Sequence, residues 1–225
     1  MFLFLYLACA PTSEVAGDTA AVDTPLRFRF PIAEPERMVS YVMGMDHDPE
    51  PHDMATVCTA FDGESFPWCY DGHDGSDYDL YGGFDAMDSG SATVVAGAGG
   101  FVESVRDGYY DRCHLDFSTF EPDCDGHEMK SNRVSIRHPN GYVSWYAHFK
   151  TDSIVVEVGQ WVPMGEPLGL VGSSGYSTAP HLHFELEDPW GEVIDPYSGE
   201  WSQEESWWCD QGERGGLPAT ECGSG

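Results

Sequence analysis

Ser177-Thr-Ala-Pro-His-Leu-His-Phe-Glu-Leu186 is the stretch from which the rest of the chain can be read. Taken as an extended strand of period two, it sets His181, His183, Glu185 and Glu187 on one face and Leu182, Phe184 and Leu186 on the other. Two imidazoles then point the same way from a strand whose back is anchored in a core. Such a strand is a rigid platform for a metal ion or for proton transfer.

Working outward, the next question is what else can reach that platform. Histidine is the commonest zinc ligand, and a catalytic zinc site usually takes three protein ligands and leaves a fourth position open. In Tyr70-Asp-Gly-His-Asp-Gly-Ser-Asp-Tyr-Asp-Leu80, His73 and Asp77 are four residues apart. Gly72, Gly75, Gly82 and Gly83 disfavour a helix there, and an extended segment keeps the i, i+4 pair on one side. With one histidine of the 181/183 pair they complete a set of two imidazoles and one carboxylate.

A third segment, Gly141-Tyr-Val-Ser-Trp-Tyr-Ala-His-Phe149, supplies a proton-handling group. Alternation predicts His148 on the face of Tyr142, Ser144 and Tyr146, opposite Val143, Trp145 and Ala147. Pro139-Asn140-Gly141 precedes it, so residues 132–138 and 142–149 read as a β-hairpin. No H-E-x-x-H occurs, so a glutamate base carried on a helix is excluded, and an imidazole must assist any activated water.

Together, His73-Asp-Gly75-Ser-Asp77, Tyr146-Ala-His148-Phe149 and Gly172-Ser-Ser-Gly175-Tyr-Ser177-Thr178-Ala-Pro180-His181-Leu-His183-Phe-Glu185 resemble the lysostaphin-type zinc endopeptidases, the M23 or LytM-like peptidase family. The resemblance spans roughly residues 58–197, with Ala179 where that family usually has glycine and with longer spacers after Asp77 and Gly108. It implies one zinc per chain held by His73, Asp77 and His183. It implies that His148 and His181 orient the water and stabilise the oxyanion. It further implies an exported endopeptidase acting on the peptide stems of peptidoglycan. The alternatives are an endopeptidase for glycine-rich proteins and a non-catalytic peptidoglycan-binding lipoprotein that regulates another hydrolase.

Composition agrees on class. With 225 residues, 41% of them hydrophobic, 26 Gly and 15 Pro, the chain can bury one sizeable core and is rich in turns. A net charge of -29 with 10 Lys+Arg excludes nucleic acid as a partner and disfavours anionic lipid. Residues 154–172 read as short strands punctuated by Gly and Pro, which predicts a compact antiparallel barrel or sandwich, and the resemblance implies an all-β, compact antiparallel barrel-sandwich with long disulfide-closed loops. The run is similar to the repeat of lipoyl and biotinyl carriers, but no lysine stands at its turn to be modified. Residues 79–91 read as a loop, 92–105 as one or two strands, and 106–128 as an acidic loop beside the groove that selects substrates.

The apolar run of residues 1–8 reads as a signal peptide ending at a lipobox cysteine, Cys9, which is the one membrane attachment expected. Residues 10–24 follow as a tether, 25–55 as an extension packed on the domain, 56–200 as the peptidase domain and 201–225 as a Trp-rich tail. The expected placement is an outer-membrane lipoprotein or a secreted protein, and the expected state a monomer. Six further cysteines, without C-x-x-C, suit disulfides in an oxidising compartment. Of fifteen pairings, spacing favours Cys58 with Cys69, Cys113 with Cys124 and Cys209 with Cys222. His47 and His52 are expected in a solvated loop, and Trp201, Trp207 and Trp208 in a packed cover.

Overall fold

The computed structural model describes residues 26–40, 43–52, 54 and 56–223, so the signal peptide, Cys9 and the 10–24 tether lie outside the described residues. The named elements are β1 (Ser76–Asp79), α1 (Gly83–Asp88), β2 (Thr93–Val95), β3 (Gly100–Arg106), β4 (His114–Asp116), β5 (Glu121–Asp123), β6 (Arg133–Arg137), β7 (Val143–Ala147), β8 (Trp161–Val162), β9 (Pro167–Leu170), β10 (His181–Glu187) and β11 (Val193–Ile194). Every pairing between these strands is antiparallel. Seven of them form one sheet in the order β1-β10-β7-β6-β3-β8, with β11 joined to β10. β2 and β9 form a second, two-stranded ladder.

The alternation of β10 decides which way this sheet faces. Leu182, Phe184 and Leu186 are fully buried, together with Val134 and Ile136 of β6 and Tyr146 of β7. Val94 and Leu168 of the β2–β9 ladder belong to the same core. The two sheets thus share one apolar layer, sandwich-like, without closing into a barrel. Each fully buried side chain of this size contributes roughly 1.5–3 kcal/mol.

Phe28, Phe30 and Ile32 cap that layer, all with no exposed surface. They do so through single bridges, Phe28 with Trp208 and Ile32 with Val94, and not through a regular strand. Trp208 packs its ring against Phe28, Phe184 and Tyr197, and Trp207 lies on Tyr142, so these two tail residues cover the core. Trp201 remains half exposed.

Three disulfides join Cys58 to Cys69, Cys113 to Cys124 and Cys209 to Cys222, the local pairing that spacing favoured. The predicted hairpin is present as β6 and β7, its turn closed by Gly141 N–H to the His138 carbonyl at 2.9 Å. Residues 79–91 differ from expectation, because they contain α1. A six-residue helix with two leading glycines has little intrinsic propensity, and it is buried Met87 that docks it on the core. The acidic segment 106–128 is also more ordered than a loop, folding into the β4–β5 hairpin that the Cys113–Cys124 bond closes.

Candidate metal centre

β10 and β1 are the elements that build the site. Their register sets Asp77 opposite His183, and residues opposite one another on neighbouring strands project to the same face. His73 enters from the turn before β1. Its Nε2 lies 3.3 Å from Asp77 Oδ1, and Asp77 Oδ1 lies 2.9 Å from His183 Nδ1. The third edge, His73 Nε2 to His183 Nδ1, is 3.3 Å. Three donor atoms therefore form a nearly equilateral triangle on the groove face.

Each donor is held by an outer partner. His73 Nδ1–H donates to the Gly44 carbonyl at 2.8 Å, which leaves Nε2 with its lone pair facing inward. Tyr70 stacks on His73 with centroids 4.1 Å apart and reaches Asp77 Oδ2 through its hydroxyl at 3.4 Å. His183 Nε2 lies 3.6 Å from Asp74 Oδ1 and 3.8 Å from Glu185 Oε2, so its proton belongs on that side and its Nδ1 is free to ligate. Asp46 fixes the loop that carries Gly44 and His73. Its buried carboxylate accepts the N–H groups of Asp48, Thr59 and Gly72, each at 2.9 Å, and its own N–H donates to the His73 carbonyl at 2.8 Å.

Gly75 is required by close approach. A Cβ there would stand 2.6 Å from His183 Cε1 and 2.7 Å from the Phe184 carbonyl oxygen. A side chain would drive the β1 entry away from His183.

His181 and His148 flank the triangle. His181 donates Nδ1–H to the Ala179 carbonyl at 2.7 Å and turns Nε2 to within 3.5 Å of Asp77 Oδ1. His148 donates Nδ1–H to the Ser174 carbonyl at 2.6 Å, and its ring lies 4.4 Å from His181 and 5.8 Å from His183. Its orientation departs from the predicted alternation. Tyr146 and Ser144 point into the core, whereas His148 has φ 67° and swings onto the groove side. Ser131 Oγ accepts its N–H, and buried Asn132 and Ser174 bind the adjoining Phe149 carbonyl, so neighbouring groups hold the strained residue.

Charge follows this geometry. Burial alone would raise the Asp77 carboxyl, yet His73, His181 and His183 hold it well below the usual carboxylate range. Burial likewise opposes protonation of His183, but Asp77 and Glu185 carry it up to about 10, and Asp77 raises His181. Burial and its two imidazole neighbours push His148 well below the usual range. One nitrogen base is thus kept neutral beside a carboxylate rich in cationic neighbours.

The triangle fits zinc. Bonds of about 2.0–2.1 Å to a tetrahedral ion place neighbouring ligand atoms about 3.3 Å apart. Among the described residues, His73, Asp74 and His183 also form a group whose donors lie within 4.8 Å of one another. Asp74 stands on the outer side of His183 and is mostly exposed, while Asp77 faces the interior of the triangle. Sequence reading pointed to Asp77 and missed Asp46, Gly44, Tyr70 and Asp74 as supports. The other histidines stay apart: His47 donates to buried Asp195 at 2.9 Å, unlike the solvated loop expected of it, and His127 stacks on Tyr110.

The centre opens to a groove on both sides. One arm, with a cavity volume of about 550 Å³, runs past Asp79, Phe120, Glu121 and Tyr176, so the β4–β5 hairpin lines it as expected of the acidic segment. The other, about 530 Å³, runs past His148, Ala147, Arg133 and Arg106.

A triangle of donor atoms of zinc-binding size and two further imidazoles on a cleft floor are the groups that metal-dependent hydrolysis requires. The sequence model of Peptidase family M23 matches residues 79–196, just over half of the chain, and the chain belongs to that family. The donor set fits a zinc ion. The match begins after His73 and Asp77, whose placement rests on the geometry above.

Over 60 residues the chain is 43% identical to the peptidoglycan DD-endopeptidase ShyA of Vibrio cholerae, covering 27% of this chain and 14% of that protein. Over 67 residues it is 43% identical to the DD-carboxypeptidase/endopeptidase Mpg of Neisseria meningitidis, covering 30% of this chain and 15% of that protein. The chain thus spans about one seventh of the length of these relatives. The catalytic domain of lysostaphin from Staphylococcus simulans aligns over 68% of this chain and 86% of that one, with 23% identity and a TM-score of 0.39.

Proposed function

We propose that the protein is an exported endopeptidase that hydrolyses peptide cross-links of peptidoglycan, with one zinc held by His73, Asp77 and His183. The observation that carries this reading is the triangle of His73 Nε2, Asp77 Oδ1 and His183 Nδ1 with edges of 2.9–3.3 Å, open to a groove flanked by His148 and His181. The segment of identity shared with peptidoglycan endopeptidases supports the choice of substrate. Three disulfides support export to an oxidising compartment. Lipidation at Cys9, a monomeric state and a peptidase domain over residues 56–200 belong to the same proposal.

Zinc bound there supplies a Lewis acid and a water of lowered pKa. His148, with Nδ1–H committed to Ser174 and its basicity reduced, presents a neutral Nε2 that takes the proton of the attacking water and passes it to the departing amine. His181, with Nδ1–H committed to Ala179, turns Nε2 to the groove, from where its protonated form would donate to the oxyanion developing on the scissile carbonyl. Both rings are turned by backbone carbonyls, so little reorganisation is needed when substrate enters.

The test is product analysis of purified cross-linked muropeptides incubated with the protein. Conversion of cross-linked dimers to monomers, abolished by chelator, supports the proposal. Intact dimers beside cleaved glycine-rich protein would replace it with the alternative substrate, and cleavage of neither would favour a binding role.

A further inference from the structure

β3 and β6 set Arg106 directly opposite Arg133. Like charges so placed cost stability. Carboxylates are abundant in a chain with 39 Asp+Glu against 10 Lys+Arg, and Arg27, Arg112, Lys130, Arg137 and Arg214 each pair with at least one. Among the described residues, neither Arg106 nor Arg133 forms an ion pair. Arg133 instead sits over the Trp145 ring, 4.6 Å from its centroid, and Glu185 and Glu187 face it from β10 without closing on it.

Register places this pair in line with the metal centre. One row crosses the sheet through Arg106, Arg133, Ala147, His183 and Asp77. Residues in such a row share a face at about 5 Å per strand, so Arg133 stands about 10 Å from His183 with only the Ala147 methyl between. Both arginines line the groove arm that ends at His148 and His183. With a net charge of -29 the molecule repels anions at a distance, so an anionic group reaches this groove only against that field, unless cations are stationed locally.

We infer that Arg106 and Arg133 form a subsite for a carboxylate of the peptide substrate, two strand spacings from the metal-binding residues. The inference rests on the peptidase reading above. Guanidinium groups bind carboxylates through paired, charge-assisted hydrogen bonds, and an anion between the two arginines also removes their mutual repulsion. A side-chain carboxylate next to the scissile bond and a free C-terminal carboxylate offer the same chemistry.

Calorimetric titration of the zinc-loaded protein with cross-linked stem peptides tests this. One peptide carries a side-chain carboxylate beside the cross-link and an amidated C-terminus, one carries the reverse, and one is amidated at both. At least one carboxylate peptide is expected to bind about tenfold more tightly than the fully amidated one, and which of them does so identifies the source. The R106Q/R133Q double variant brings the ratio to about one. R133K, which keeps charge but loses the two-pronged geometry, falls between and serves if the double variant does not fold. Equal binding by the wild type, binding of no peptide, or a preference that survives the double substitution overturns the inference. Cleavage is read in parallel: peptides that bind by this rule but stay intact would refute the endopeptidase reading and leave the subsite standing.

Discussion

Gly75→Ala adds one methyl group at the point where β1 approaches His183, the proposed metal ligand. The new carbon would lie 2.6 Å from His183 Cε1, 2.8 Å from Nε2 and 2.7 Å from the Phe184 carbonyl oxygen. Ordinary contact begins near 3.4 Å, so the ring or the strand must give by about 0.8 Å. The carbonyl is backbone in the middle of a paired strand and does not yield easily, so His183 moves. Metal–ligand bonds tolerate about 0.2 Å, and faults in the groups that orient a ligand typically cost 10–100-fold in affinity. Overpacking of this kind also costs about 1–3 kcal/mol of stability. The assay is competition of the folded variant with a chromophoric zinc chelator, beside thermal melting with and without metal. Zinc affinity should fall at least tenfold, and the stabilisation by zinc should shrink accordingly. A variant that binds zinc as tightly as the wild type would refute the reasoning that this close approach positions His183.

Further outcomes follow from the same geometry. His148→Ala should lose about a hundredfold or more in turnover while retaining zinc, because the ring bonds to Ser174 and not to the ligand triangle; zinc content and rate measured on one preparation decide it. Asp46→Ala removes the acceptor of three backbone N–H groups and should cost about 3 kcal/mol by denaturant unfolding, with weakened zinc binding, whereas a loss of stability without any loss of zinc would show that its loop does not position His73. His138 is buried between the Gly99 carbonyl and Ser144, and burial pushes it down to about 4 despite the bond to Gly99. The folded state then refuses a proton that the unfolded state accepts, so stability falls as pH drops from about 6.5 to about 4, by roughly 3 kcal/mol in all. The His138→Gln variant should lack that share of the slope, and identical pH profiles would exclude it.

Sequence reading picked out the residues that the structure brings together on the groove floor, because a period-two strand assigns faces without outside help. His181 and His183 flank one face of β10 for that reason alone, and Asp77 joins them through a single strand pairing. His148 was found but turned the wrong way, since alternation ends where φ becomes positive, and Ser131, Asn132 and Ser174, distant in sequence, impose that φ. The links that matter for the site, Asp46 to Gly72 and the Gly44 carbonyl to His73, were invisible because they span 26 and 29 residues. The row from Arg106 to Asp77 needed the register of four strand pairs, one of them shifted between Val102 and Ser104. Disulfide pairing was legible because each bond closes a loop of 11 or 13 residues. Helix α1 was not, because packing of Met87 and not local propensity makes it.

Asp77 and Asp74 both lie near the imidazoles of His73 and His183, but only Asp77 closes the inner triangle, and that difference bears on the central claim. Zinc content by atomic emission, measured on the disulfide-intact chain and its Asp77→Ala and Asp74→Ala variants, reads it directly. One zinc per chain in the wild type, loss in Asp77→Ala and retention in Asp74→Ala are the predicted results. Zinc retained without Asp77, or lost without Asp74, would contradict the ligand set and the mechanism built on it.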